Sequence, residues 1–199
     1  MAKFLVLQND IWSGGLKLDV LKGYDEDFLL GRGEKLAKGY PKKKPSYSVD
    51  KRAVTKSGPE RPGKAGKTKA STALRDSLHN IDRLFVVSEK TKKVIAALEK
   101  KVEFLPVTIT GYDEPYFIVN LLDHTGTIDR KKSGAKTGTD GEVSFVKKLV
   151  LKDVPKDRAL FQLAEYPRIH LVRDDLAAAL EAAGITGIET KEPADYTDE

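Results

Sequence analysis

The chain contains no cysteine, which excludes disulfide cross-links, thiolate nucleophiles and cysteine-based zinc or iron–sulfur centres. It also lacks any long apolar run. Stretches such as Leu176 to Leu180 are about five residues long, far short of the ~20 that a membrane-spanning helix requires. The N-terminus offers one lysine and a short apolar patch, Phe4 to Leu7, followed at once by Gln8, Asn9 and Asp10. It has no room for the ~7–15-residue apolar segment of a signal peptide. These absences predict a cytoplasmic protein with no membrane segment, in which Phe4 to Leu7 form an early strand. No serine occupies a G-x-S-x-G elbow, so nucleophile–histidine schemes lack support and catalysis is not expected. No cofactor or metal site is expected either.

What is present is the balance of a water-soluble globular protein: 40% apolar and 33% charged residues in a chain of 199, enough for one substantial core. The net charge of +5 is local in origin. Residues 41–70 hold ten Lys/Arg and two Asp/Glu, a net of +8, and the remainder carries −3. The segment Tyr40 to Ser71 is rich in Lys, Pro, Gly and Ser, and reads as a long mobile surface loop.

Gly14-Gly15 followed by Leu16, Leu18 and Val20 suggests a turn into an alternating strand. The run R-L-F-V-V-S-E-K-T-K-K-V-I-A-A-L from Arg83 lines up with R-I-H-L-V-R-D-D-L-A-A-A-L-E-A-A from Arg168 at a constant offset of 85. Each half runs from strand-type residues into a helix with apolar positions three and four apart, giving two strand–helix units. Ser88 is placed to cap the first helix, Asp174 and Asp175 to open the second, and Gly184 to end it. Phe104 to Thr110 and Tyr116 to Leu121 read as strands around a turn at Gly111 to Pro115, and Pro106 marks an edge strand or bulge. A polar loop from Asp123 to Gly141 leads to strands at Val143 to Leu151, Leu160 to Leu163 and Ile188 to Thr190. The expected class is α+β, with a mixed, largely antiparallel sheet, two strand–helix units and long surface loops. The expected divisions are residues 1–80 with the lysine-rich loop, 81–190 as the core, and 191–199 as a frayed acidic tail.

Three constellations carry possible chemistry. Gly58 to Lys64, G-P-E-R-P-G-K, nearly matches a phosphate-binding loop, but Ala65 replaces the magnesium-holding hydroxyl, and no apolar strand precedes it. Asp123, His124 and Asp129 share one loop, where a hard metal or an acid–base pair would need them to converge; a polar turn at Gly126 would contain the same residues and is the preferred reading. His170 alternates with apolar neighbours and reads as a strand residue. Lys42, Lys43, Lys44, Lys51 and Arg52, interleaved with Tyr40 and Tyr47, can either guide an acidic partner or bind nucleic acid through phosphates and stacked bases.

The run from Leu84 through Val107, with its V-S-E junction and F-L-P-V strand, resembles the myxobacterial-type immunity domain of bacterial polymorphic-toxin systems. Tyr116 to Asn120 is similar to that family's Y-x-x-x-N, Asp129 with Ser133 to its D-x-x-x-S, and Ile169 to Ile188 to its closing strand, helix and G-I-T-G-I turn. The resemblance implies a non-enzymatic antidote that binds and blocks one cognate toxin, encoded by an adjacent gene. It carries no catalytic residues. Lys42, Lys43, Lys44, Tyr47, Lys51, Arg52, Asp123 and His124 are the partner-binding candidates; the alternative is a nucleic-acid-binding accessory protein using the basic loop.

Overall fold

A computed structural model of the chain describes residues 3–10, 16–24, 30, 32–49, 74–139 and 141–198. In the first half run strands β1 (Phe4–Asn9), β2 (Lys17–Leu18), β3 (Ser46–Tyr47), β4 (Ser77–Asn80) and β5 (Val86–Ser88), then helix α1 (Glu89–Leu98). There follow β6 (Val102–Ile109), β7 (Tyr112–Leu121), β8 (Thr127–Ile128), β9 (Lys136–Thr137), β10 (Val143–Phe145) and β11 (Leu151–Asp153). The chain ends with β12 (Leu160–Leu163), β13 (Tyr166–Arg173), α2 (Asp174–Ala182) and β14 (Ile188–Lys191). The class is α+β, with strand pairing mostly antiparallel.

Six strands form a sheet in the order β2-β4-β5-β7-β6-β3. Its two ends meet. The Asp19 N–H donates to the Ser48 carbonyl at 2.9 Å, and Lys22 and Ser46 exchange backbone bonds at 3.0 and 2.9 Å, so the sheet closes on itself as a small barrel and leaves no open edge at this seam. Leu18, Tyr47, Leu78, Val86, Leu105 and Ile118 fill the interior. Here the expectation of a free basic loop from Tyr40 is corrected. Residues 46–47 are a barrel strand, and Tyr47, with no exposed surface, packs inside, because a ring of that size buried in the barrel outweighs the polar character of its neighbours in sequence. The remainder of that segment, residues 50–73, lies outside the described residues.

A second sheet, β12-β13-β1-β14, is antiparallel throughout. β1 sits between β13 and β14, so residue 80 marks no gap in hydrogen bonding. Alternation along the strands gives each sheet two apolar faces. In β7, Tyr116 and Ile118 point into the barrel while Phe117, Val119 and Leu121 point outward. The outward set meets Leu7, Leu160 and Val172 of the second sheet and Ile95, Leu176 and Leu180 of the helices. The opposite face of the second sheet, with Phe4, Phe161 and Leu171, is covered by Ile128, Val143, Val146 and Leu149. The expected single strand from Val143 to Leu151 is therefore two short ones. β10 pairs with β9 and β11 with β8, and each pair is interrupted by a register shift.

Both strand–helix units are present. Buried Thr91 and Ile95 of α1 recur as Leu176 and Leu180 of α2 at the same offset of 85. The Ser88 side chain accepts from the Thr91 N–H at 3.3 Å and so caps α1, whereas α2 has Arg173 at its cap without a side-chain bond. Pro106 lies where β6 has no partner on its outer side, and the register shifts just beyond it, between Val107 and Ile109. The acidic C-terminus is docked instead of frayed. The Asp198 carboxylate accepts from the Tyr166 hydroxyl at 2.6 Å and from the Val146 N–H at 2.6 Å, which anchors the last turn onto the lower core.

The two sheets are also joined by a buried ion pair. Glu99, at the C-cap of α1, meets Arg158 at 3.1 Å, with side chains only 2% and 3% exposed. The Glu99 carboxylate also accepts from the N–H groups of Lys101, Ala159 and Leu160 at 2.8, 2.8 and 3.0 Å. Arg158 in turn donates to the carbonyls of Asp123, Lys101 and Leu160. Burial alone would raise the Glu99 carboxyl, but these amides and the guanidinium outweigh it and hold it below the usual range.

Replacing Glu99 by Ala strands a buried guanidinium, and the expected loss is about 3–5 kcal/mol by urea denaturation at pH 7. The folded pKa is depressed, so the stability that ionised Glu99 contributes is complete above its unfolded value and disappears as pH falls through the folded one. Glu99→Gln should therefore be less stable than the parent at pH 7, with a shallower decline toward acid; parallel pH–stability curves would refute the assignment.

Candidate functional site

Asp123 and His124 follow β7 at the point where the chain leaves the barrel. Asp123 has φ of 54°, a left-handed conformation uncommon for a residue with a side chain. It is held there by its N–H donating to the Gly33 carbonyl at 3.2 Å and by Arg158 bonding its carbonyl at 3.2 Å. Its carboxylate points away to Lys101 at 3.1 Å. That hydrogen bond, together with the lysine's charge, keeps the Asp123 carboxyl below its ordinary range.

His124 turns the other way, against Gly33. Its Nε2 is buried without a hydrogen-bond partner, and burial lowers its basicity, with the Gln162 side chain partly opposing. Nearby His170 packs its ring against Phe85 at 5.4 Å between centroids, and burial pushes its imidazole down to about 4. Both rings are thus neutral near pH 7.

Asp129 is spent elsewhere. Its Oδ1 accepts from the Lys132 N–H at 3.0 Å and its Oδ2 pairs with Lys132 Nζ at 3.3 Å. The three groups that share one loop in sequence point in different directions, and among the described residues no group of three or more His, Asp or Glu is arranged to hold a metal ion. A cleft of ≈ 430 Å³ beside the β8–β11 pair is lined by residues that include Asp129, Arg130, Lys152, Asp153 and Glu165, where Arg130 and Glu165 already form an ion pair at 2.7 Å.

Of the basic candidates, Lys42, Lys43 and Lys44 are exposed, immediately before buried Pro45 and β3. Lys51 and Arg52 lie outside the described residues. Tyr47 is interior, as described above, and the Tyr40 ring packs against Tyr24 at 5.2 Å between centroids, with its hydroxyl buried. Neither ring is presented to solvent as a platform for a base, so the pairing of lysines with stacking aromatics is not formed by these two residues.

The residues that carry the family motifs are structural. The Asp76 carboxylate, which no sequence pattern singled out, accepts from the Ser88 hydroxyl at 2.8 Å and from the N–H and hydroxyl of Thr186 at 3.1 and 3.0 Å. The V-S-E junction and the G-I-T-G-I turn therefore meet on one carboxylate. Tyr116 donates its hydroxyl to the Arg75 carbonyl at 2.7 Å, and Asn120 donates to the Glu34 carbonyl at 2.7 Å. Buried Ser133 accepts from the Val150 N–H at 3.0 Å and fastens the turn that Asp129 begins. At Gly187, with φ of 85°, any Cβ would overlap the Ser77 carbonyl oxygen.

A family model described as the immunity protein family Imm11 matches residues 9–195. No curated protein matches the chain.

The packing of His124 on Gly33 is directly testable. A Cβ at Gly33 would come within 2.9 Å of the imidazole Cδ2, at φ of 84°. Gly33→Ala should cost about 1–3 kcal/mol, and less when His124→Ala is also present, leaving only backbone strain. Equal costs in the two backgrounds, measured by denaturant unfolding, would show that the ring does not determine the glycine.

Proposed function

Because the chain belongs to the Imm11 immunity protein family, we propose that it protects a bacterium by binding one cognate toxin stoichiometrically and blocking it, without catalysis of its own. The observation that carries the reading is the extent of the family match, from residue 9 to residue 195. It takes in the barrel seam, the motif residues and, apart from most of β1, the second sheet. A role in toxin immunity follows from the family; direct binding is the mechanism that best fits the groups available.

The geometry of Asp123, His124 and Asp129 supports this mechanism over an acid–base one. A general acid or base must stand within hydrogen-bonding reach of a shared reacting group, and these three are directed to Lys101, Gly33 and Lys132. What the surface offers instead is charge. Lys42, Lys43 and Lys44 remain candidates for contact with an acidic toxin, where long-range attraction raises the association rate. By sequence, Lys51 and Arg52 join them. Asp123 is exposed and can be reached by a partner, whereas His124 acts through the shape of the loop.

The toxin is expected in the product of an adjacent gene and the encounter in the cytoplasm. No helix among the described residues is long and apolar enough to cross a membrane.

Co-expression with the adjacent gene product should rescue growth, and calorimetry on the purified pair should give one-to-one binding, at about nanomolar affinity or tighter as for other tight inhibitors. Rescue without binding would overturn the stoichiometric mechanism and favour an activity on the toxin or its target. Substituting Lys42, Lys43 and Lys44 by Gln should slow association at low salt by about tenfold and matter little in high salt.

A further inference from the structure

Among the described residues, the exposed large apolar side chains are Ile81 at 48%, Val20 at 46% and Leu98 at 37%. Leu98 stands by itself at the end of α1. Val20 and Ile81 belong together. β2 and β4 run parallel with Leu18 opposite Asn80, and just beyond that pair the Leu21 N–H donates to the Asp82 carboxylate at 2.8 Å. Val20 precedes Leu21 and Ile81 precedes Asp82, so the two apolar side chains flank one hydrogen bond.

The exposure of Val20 is set by the backbone. Leu16 and Leu18 are buried, and strict alternation would bury Val20 as well. Instead Leu21 is buried at 6% exposure, one residue out of phase, since residues 19–22 bend to close the barrel onto residues 46–49. On the other strand, the turn after β4 carries Arg83 at φ of 60°. Buried Asn80 holds this turn, its amide donating to the Leu84 carbonyl at 2.6 Å and accepting from the Leu84 N–H at 2.9 Å. A left-handed arginine fixed by a buried side chain is a costly way to build a plain turn.

Exposed Lys22 and Arg83 each stand two residues beyond one of the apolar pair. Lys17 and Arg83 both act electrostatically on His79 of β4, Lys22 is hydrogen-bonded through its backbone to Ser46, and exposed Lys42, Lys43 and Lys44 lead into the same strand. Among the described residues, Asp82 accepts from the Leu21 N–H and Asp19 from the Ser48 hydroxyl at 3.0 Å, so both carboxylates are directed into the seam's own bonds. The second basic region, Lys131, Lys132, Lys147 and Lys148 around Ser133, has no exposed large apolar side chain at its centre. Apolar anchors enclosed by a polar rim are the anatomy of a protein–protein contact.

We infer that the barrel seam, with Val20 and Ile81 as anchors and Lys22, Lys42, Lys43, Lys44 and Arg83 as a basic rim, is the surface that docks an acidic face of the toxin. This inference rests on the immunity reading and assigns its contact surface. The rim steers the partner in, and the two apolar side chains hold it.

The test uses the full chain and the purified polypeptide encoded by the adjacent gene. Val20→Ser with Ile81→Ser should weaken binding at least about tenfold, mainly through faster dissociation. Lys22→Glu with Arg83→Asn, where Asn tolerates the left-handed backbone, should slow association at low salt. Thermal midpoints close to the parent's would show that both variants fold. Lys131→Glu with Lys148→Glu, on the other basic face, should bind within about threefold of the parent. Wild-type binding that the seam variants leave unchanged overturns the seam assignment while the immunity reading stands; a wild-type chain that binds no toxin removes both. A dimer in sedimentation that Val20→Ser with Ile81→Ser dissolves would place a second copy on the seam. Single-stranded RNA captured there and released by salt would place nucleic acid, and either result overturns the acidic-protein assignment.

Discussion

A carboxylate buried at the end of a helix is tolerated only if its surroundings replace the water it has lost, and much of this fold is arranged around that requirement at Glu99. Its two oxygens accept from the backbone N–H groups of Lys100, Lys101, Ala159 and Leu160 and from Arg158. These donors come from both sides of the molecule: the end of α1 and start of β6 from the barrel, and the entry to β12 from the second sheet. An apolar contact between sheets can slide, whereas a carboxylate filled by directed bonds sets their relative position. Buried ion pairs contribute little net stability against a well-packed apolar alternative. This pair therefore acts on register: Arg158 also fixes the Asp123 carbonyl, and through it the left-handed turn by which the chain leaves β7.

Asp76 does the same for the upper part of the interface. It receives the N-cap serine of α1 and the threonine of the turn after α2, so the two strand–helix units meet at their connections as well as at their apolar faces. Gly187 completes this joint because only an absent side chain lets the turn approach the Ser77 carbonyl. The helices then need only modest apolar faces of their own, since α1 buries Thr91 and Ile95 and α2 buries Leu176 and Leu180.

What could be read in the sequence was local. Ser88 as a cap, Gly184 as a stop, Pro106 beside a bulge and the two strand–helix units all depend on residues within a few positions of one another. The barrel closure was not legible, because β2 and β3 are two residues long and offer no period to detect. Tyr47 was misplaced for the same reason: a window averaged over Lys, Pro and Ser reports the segment's composition and misses one aromatic ring that points inward. Glu99, Arg158 and Asp76 carry no motif, since their partners lie far along the chain and a single charged residue in sequence usually marks a solvated surface. At the candidate site, proximity in sequence misled in the opposite sense, because Asp123, His124 and Asp129 share a loop whose turns send them to three different neighbours.

The distribution of bonded and free groups also bears on how such a protein can recognise a partner. Ser88, Tyr116, Asn120, Ser133 and Gly187 hold backbone in place or permit its close approach. Side chains committed to interior bonds have little left to offer a ligand, so under the immunity reading recognition falls to residues outside the motifs. A rigid frame with an adaptable surface suits that division: fixed turns present exposed side chains without a large ordering cost on binding, and changes in those side chains leave the buried bonds intact. The motifs can therefore identify the fold while remaining silent about the toxin, and specificity has to be sought where alternation breaks and apolar surface is left in solvent.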